Sequence, residues 1–177
     1  MTLHLWRHPR PMGVDGRCIG VTDVAVDRRK AKRLAHRIRQ QARRQGWPRV
    51  IHTSDLQRCA DVGRWLKRWG WRHVVCVALR EKHFGVWEGR RWDDISHAEV
   101  NAWVNDFLRY APQHGESLFD MFQRVSAWQA QGEPVLMVAH AGWMQCATWL
   151  CAEGDRRPQQ ASEWPRAPAY GAYRSVV

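Results

Sequence analysis

Residues 134–139 read Pro-Val-Leu-Met-Val-Ala and end at His140, an almost unbroken apolar run of strand length. A strand with one face in water alternates apolar and polar side chains, so a run without polar positions must be covered on both faces. That requirement selects a parallel sheet flanked by helices. Shorter runs at 2–6, 50–52 and 74–77 supply further strands. Helical patterns fall between them. In 28–45, Ala31, Leu34, Ala35, Ile38 and Ala42 recur at helical spacing, with Asp27 as N-cap and Gly46 and Pro48 as the stop. A second helix follows Ser54, whose spacing to Gln57 is that of a capping box, and its apolar side runs from Leu56 through Trp65 to Trp69. Two more stretches, 95–109 and 117–130, precede the apolar run, and a last helix starts near Gly142. This alternation predicts an α/β chain with a doubly wound, mostly parallel sheet and helices on both faces, whose ligands gather beyond the carboxyl ends of the strands. With 177 residues the chain fits one domain, 1–177, with 155–168 loop-like and 169–177 supplying a late edge strand.

Composition narrows the function classes. No apolar run is long enough to span a bilayer and residues 1–7 lack the regions of a signal peptide, so a membrane partner is not expected and the expected compartment is the cytoplasm. The five cysteines are odd in number and contain no C-x-x-C pair, which suits reduced thiols. No histidine or cysteine spacing suggests a metal, and no cofactor is expected. The formal charge of +11 is compatible with a solvated basic face or with attraction of anions, and does not decide between them.

Three distant features converge on one edge of the expected sheet. Arg7 and His8 follow the first strand, with Pro9 keeping the chain extended; Arg58 lies in the first turn after the second strand; His140 ends the apolar run. A lone histidine or arginine is most often structural, but this convergence is harder to dismiss. The connection from Pro9 to Asp27 is long for a plain connector and should border a site.

Leu5-Trp6-Arg7-His8 resembles the R-H-G signature of the histidine phosphatase superfamily, the phosphoglycerate mutase-like family, with Pro9 in place of the usual glycine. Residues 54–59 resemble its second arginine motif, 79–89 its acid motif, 138–142 its second histidine motif and Gly115-Glu116-Ser117 another recurrent element, so the likeness covers roughly residues 3–150. The resemblance implies a phosphomonoesterase in which His8 carries a transient phosphohistidine, Arg7, Arg58 and a cationic His140 hold the phosphoryl group, and Glu81 is the general acid, with Glu88 and then Asp93 as rivals. It also implies phosphate ligands in the loop after Pro9, where Arg10, Cys18 and Thr22 are candidates beside Ala141 at the last helix. The chemistry fits these residue types: a neutral imidazole attacks, guanidinium forks match phosphoryl oxygens, a helix amino terminus favours an anion, and a carboxyl protonates the leaving alkoxide.

The expected partner is a small phosphorylated substrate. The opening Arg7-His8-Pro9-Arg10-Pro11 and the acid motif look most like α-ribazole phosphatase of cobalamin biosynthesis; a broad-specificity or phosphohistidine-protein phosphatase, or mutase-type activity, would look similar. Compactness favours hydrolysis over mutase chemistry. From a different class, a basic nucleic-acid-binding protein is motivated by the arginines and lysines of 28–45, although no stacking motif accompanies them. Trp65 and Trp69 read as core, while Trp87, Trp92 and Trp143 lie near the motifs and are candidates to flank a planar substrate. Oligomeric state is not legible.

Overall fold

The computed structural model describes residues 2–128 and 134–177. Five strands form one sheet: β1 (Leu3–Arg7), β2 (Val50–Thr53), β3 (Arg72–Val75), β4 (Val135–Ala139) and β5 (Tyr173–Val176). Their order is β3-β2-β4-β1-β5, all parallel except β5, which runs antiparallel to β1 along the edge. The alternation of side chains across this sheet sorts the core into two. Leu3, Leu5, Val135, Met137 and Ala139 face one cluster, where α4 (Leu118–Ala127) and α5 (Ala141–Glu153) pack. Trp6, Ile51, Leu136 and Val138 face the other, against α1 (Arg28–Gln45) and α2 (Gln57–Arg68). β4 is buried at all five positions because helices cover both its faces, as its composition requires.

The ends of α1 follow the sequence closely. Asp27 Oδ1 accepts from the backbone N–H groups of Arg29 and Lys30 at 2.8 and 3.0 Å, and Gly46 closes the helix in the left-handed region at φ 67°. Elsewhere the elements shift. The expected capping box at Ser54 and Gln57 is absent: the N-cap is Leu56, and Ser54 turns its hydroxyl inward to His140 instead. The third strand is Arg72–Val75, not 74–77, because its pairing with β2 puts Arg72 opposite Val50. The expected helix over 95–109 contracts to α3 (His97–Asn105), which starts at a capping box of Ser96 and Glu99. In the stretch 117–130, α4 ends at Ala127 and Trp128 is extended; residues 129 and 130 lie outside the described residues. Trp65 and Trp69 are half-buried at the rim of the core, with basic side chains over their faces.

No helix among the described residues is long and apolar enough to cross a membrane.

Candidate active site

The carboxyl ends of β1 and β4 lie side by side, with Arg7 paired to Ala139, and the His8 N–H donates to the Ala139 carbonyl at 3.0 Å. This pairing is why two histidines 132 residues apart meet: their rings are 5.1 Å apart. His8 Nδ1 donates to the Pro9 carbonyl at 2.7 Å, which fixes the proton there and leaves Nε2 with its lone pair. Pro9 lacks the N–H that a glycine would offer and contributes its carbonyl instead. Burial, then Arg58 and Arg7, push the His8 pKa down from 6.5 to about 3 against the Pro9 hydrogen bond, so the imidazole is neutral at physiological pH.

His140 departs from the expectation of a cationic phosphate ligand. Its Nδ1 accepts from Arg58 Nε at 3.2 Å, so Nε2 carries the proton and donates to Ser54 Oγ at 2.7 Å. Complete burial, followed by His8 and Arg58, drives its pKa well below 6.5. His140 is therefore neutral and sits behind the cavity, where it orients Arg58. The other Arg58 nitrogens bond the carbonyls of Thr22, at 2.8 Å, and Gly20. One guanidinium thus ties α2 to the loop after Pro9 while its edge lines the cavity.

Arg7 is held by the Pro168 carbonyl at 2.6 Å, with its guanidinium 3.9 Å from the Tyr170 ring centre. Its Nε is buried with no hydrogen-bond partner, an unsatisfied donor of the kind an incoming anion relieves. Glu81 lines the same cavity as His8, its carboxylate accepting from Gly142 N at 3.0 Å and from Lys82 N at 3.0 Å. The carboxylate can come this close to α5 only because Gly142 has no side chain: a Cβ there would collide with it. Arg124 buttresses the acid motif from behind, donating to the Ala78 and Arg80 carbonyls and pairing with Glu116 at 2.9 Å. That ion pair occupies Glu116 of the Gly115-Glu116-Ser117 element, and Ser117 caps α4.

The arrangement brings Arg7, His8, Arg58, Glu81 and Ala141 to one cavity of about 600 Å³. It does not bring Arg10, Cys18 or Thr22. Arg10 is exposed and paired with Asp15. Cys18 is buried beside Trp87 and Ile95, its thiol pKa pushed up to about 12 by burial. The N–H and hydroxyl of Thr22 both go to Glu88. Glu88, the rival candidate, is engaged by the same contacts. Its carboxylate accepts from the backbone N–H groups of Gly20, Val21, Thr22 and Phe84; burial alone would raise its pKa, but these bonds outweigh it and hold it low. Asp93 lies at an exposed turn. Among the tryptophans, Trp87 and Trp143 are core, their N–H groups spent on Glu99 and Ala78. Trp92 does line the cavity, and with it come Trp103, Phe107, Trp164 and Tyr170, which the sequence reading missed. Trp92 stacks on Trp103 and Trp103 on Phe107, so one side of the cavity is a continuous aromatic wall. No group of three or more potential metal-ligating side chains occurs among the described residues.

The family description "histidine phosphatase superfamily (branch 1)" matches residues 3–167. The chain belongs to the histidine phosphatase superfamily. The match runs further into the tail than the motifs alone, taking in the stretch that supplies Trp164. No curated protein matches this histidine phosphatase. Among solved structures it is similar to mycobacterial glucosyl-3-phosphoglycerate phosphatase, with 26% identity over 98% of this chain and 88% of the other at a TM-score of 0.75. That enzyme's complex with inorganic phosphate compares at 25% identity, 98% and 88% coverage and a TM-score of 0.69. A protein from Thermus thermophilus, at 24% identity, 99% and 93% coverage and a TM-score of 0.68, shares the fold. The family and these neighbours make the chain a phosphatase enzyme with a phosphoglycerate mutase-like α/β fold.

The buried neutral histidines carry a linked stability effect. Unfolded, they titrate near 6.5; folded, His8 titrates near 3 and His73 near 4 through burial, and His140 well below 6.5. Between these values the unfolded chain binds more protons, so stability is full above about pH 6.5 and falls as the pH drops through the window. At pH 5.5 His8 alone removes about 1.4 kcal/mol, roughly 3–6 °C in Tm for a domain of this size. Melting curves at pH 7.5 and 5.5 should show at least that loss; an unchanged Tm would mean that these imidazoles are not neutral in the folded state.

Proposed function

We propose that this phosphatase hydrolyses phosphomonoesters through a phosphohistidine on His8. The reading rests on one observation: a neutral His8, with only Nε2 left for chemistry, opens on a cavity flanked by two arginines and a carboxyl group. His8 Nε2 attacks phosphorus, forming the P–N bond as the P–O bond to the leaving group breaks, and Glu81 as general acid delivers a proton to the departing oxygen. Arg7, Arg58 and the Ala141 amide at the start of α5 stabilise the phosphoryl oxygens, the largest contribution a protein makes to this chemistry. Glu81 then takes a proton from water as the water oxygen bonds phosphorus and the P–N bond breaks, releasing phosphate. His140 and Ser54 act through Arg58 and do not touch the phosphoryl group.

For the leaving group, the aromatic wall supports a planar apolar moiety over a bare sugar or glycerate. α-Ribazole 5'-phosphate, with a benzimidazole on its ribose, has that shape and places the reading in cobalamin biosynthesis. The neighbour's name makes glucosyl-3-phosphoglycerate the natural comparison. The test is a turnover screen of both esters, a phosphohistidine peptide and simple sugar phosphates. The planar ester should have the highest kcat/KM, and Trp92→Ala should lower kcat/KM for it by about tenfold through lost stacking while changing sugar phosphates little. Preference for glucosyl-3-phosphoglycerate, or equal loss on all esters, would overturn the assignment of the leaving group.

A further inference from the structure

At the opposite edge of the sheet, where β2 and β3 begin, lies a groove of about 510 Å³ that shares no residue with the catalytic cavity. Its walls carry Trp47, Trp69 and Trp71 together with Arg39, Arg43 and Arg49. The local fold builds it. Gly46 in the left-handed region reverses the chain at the end of α1, and the Trp47 N–H returns to the Ala42 carbonyl at 2.9 Å. Trp47 is then clamped by His4, stacked on it at 3.8 Å and 25°. Trp71 is buried, and Trp69 is half-buried with the Arg39 guanidinium 5.4 Å from its ring centre. The indoles are therefore held in place before any ligand arrives.

The charge in the groove is one-sided. Among the described residues no carboxylate lines it and none of the three arginines pairs with an acid. The carboxyl end of α1 offers roughly half a negative charge against them, too little to neutralise three guanidiniums. Immobilised aromatic rings beside unneutralised arginines suit a ligand that combines a flat ring system with phosphate. We propose that this groove binds a nucleoside phosphate, its base against the indoles of Trp47 and Trp69 and its phosphate on Arg43 and Arg49. The sequence of α1 shows only basic residues without a stacking partner; the fold brings the partner from the turn after α1 and from the end of α2. The ligand comes either as a free nucleotide or as a unit of a single strand.

The test measures binding of AMP, a fluorescein-labelled eight-nucleotide poly-dT and inorganic pyrophosphate to the full chain and to Arg43→Glu/Arg49→Glu, whose side chains are exposed and remote from the phosphatase site. The variant should keep its phosphatase kcat/KM and lose about tenfold or more in affinity for the nucleotide probes, and Trp69→Ala should lose a similar factor. Comparable affinity for AMP and the strand indicates a free nucleotide; preference for the strand with a steep salt dependence indicates nucleic acid. Three results would overturn the proposal: no binding of AMP or the strand, pyrophosphate bound as tightly as AMP, or nucleotide binding that survives in the double variant and disappears in Arg7→Ala.

Discussion

His8→Ala abolishes turnover, lowering kcat by about 10⁴-fold or more, as removal of a nucleophile does. The expectation follows from Nε2 being the nitrogen left free once Nδ1 is committed to the Pro9 carbonyl. The neighbouring thiols do not compete for the role, since Cys18 and Cys59 are buried and pushed up to about 12. The checking measurement is phosphoenzyme trapping: wild type treated with a labelled ester and quenched in alkali should carry acid-labile, base-stable phosphate on His8, and the variant none. Circular dichroism separates loss of chemistry from loss of fold. A variant that is folded and retains a tenth of the activity would move the covalent step elsewhere or replace it with direct attack by water.

Glu81→Gln separates the two halves of the mechanism. The two N–H donors use different carboxylate oxygens, so the amide oxygen can keep the Gly142 bond and the seat at the start of α5, giving up the Lys82 bond, while the proton supply is lost. Turnover of alkyl esters should fall by about 10²–10⁴-fold, with less than about a threefold change in inhibition by inorganic phosphate. p-Nitrophenyl phosphate departs without protonation, so its first step should be nearly spared. It should give a burst of nitrophenolate, one per enzyme, followed by slow release of phosphate, because the same carboxylate activates the water. Undiminished turnover of alkyl esters would assign the proton to a different group. Glu88 is a poor heir, since five donors occupy it.

The sheet and its helices were legible because periodicity and caps are local properties: the run 134–139, the stripe from Ala31 to Ala42 and the Asp27 cap each speak for themselves. The meeting of His8, Arg58, Glu81 and the start of α5 was legible from strand ends and motif order. What escaped the sequence was partner choice. Ser54 has the right spacing to cap a helix, yet His140, 86 residues away, takes its hydroxyl. Thr22 and Glu88 are each plausible site residues until seen to satisfy one another. The charge of His140 depends on a degree of burial that no local pattern encodes. The aromatic wall was hidden for a different reason: Trp103, Phe107, Trp164 and Tyr170 come from a short helix and from loops, where a large ring reads equally well as core.

The place of β1 in the sheet has a consequence for how this enzyme comes into being. β1 pairs only with β4 and β5, so its neighbours lie some 130 to 170 positions downstream. On the ribosome it must wait, apolar and with both edges open, until most of the chain has emerged. Long-range closures of this kind slow folding and lengthen exposure to aggregation. Catalytic competence should therefore appear late and all at once, with no active fragment preceding it.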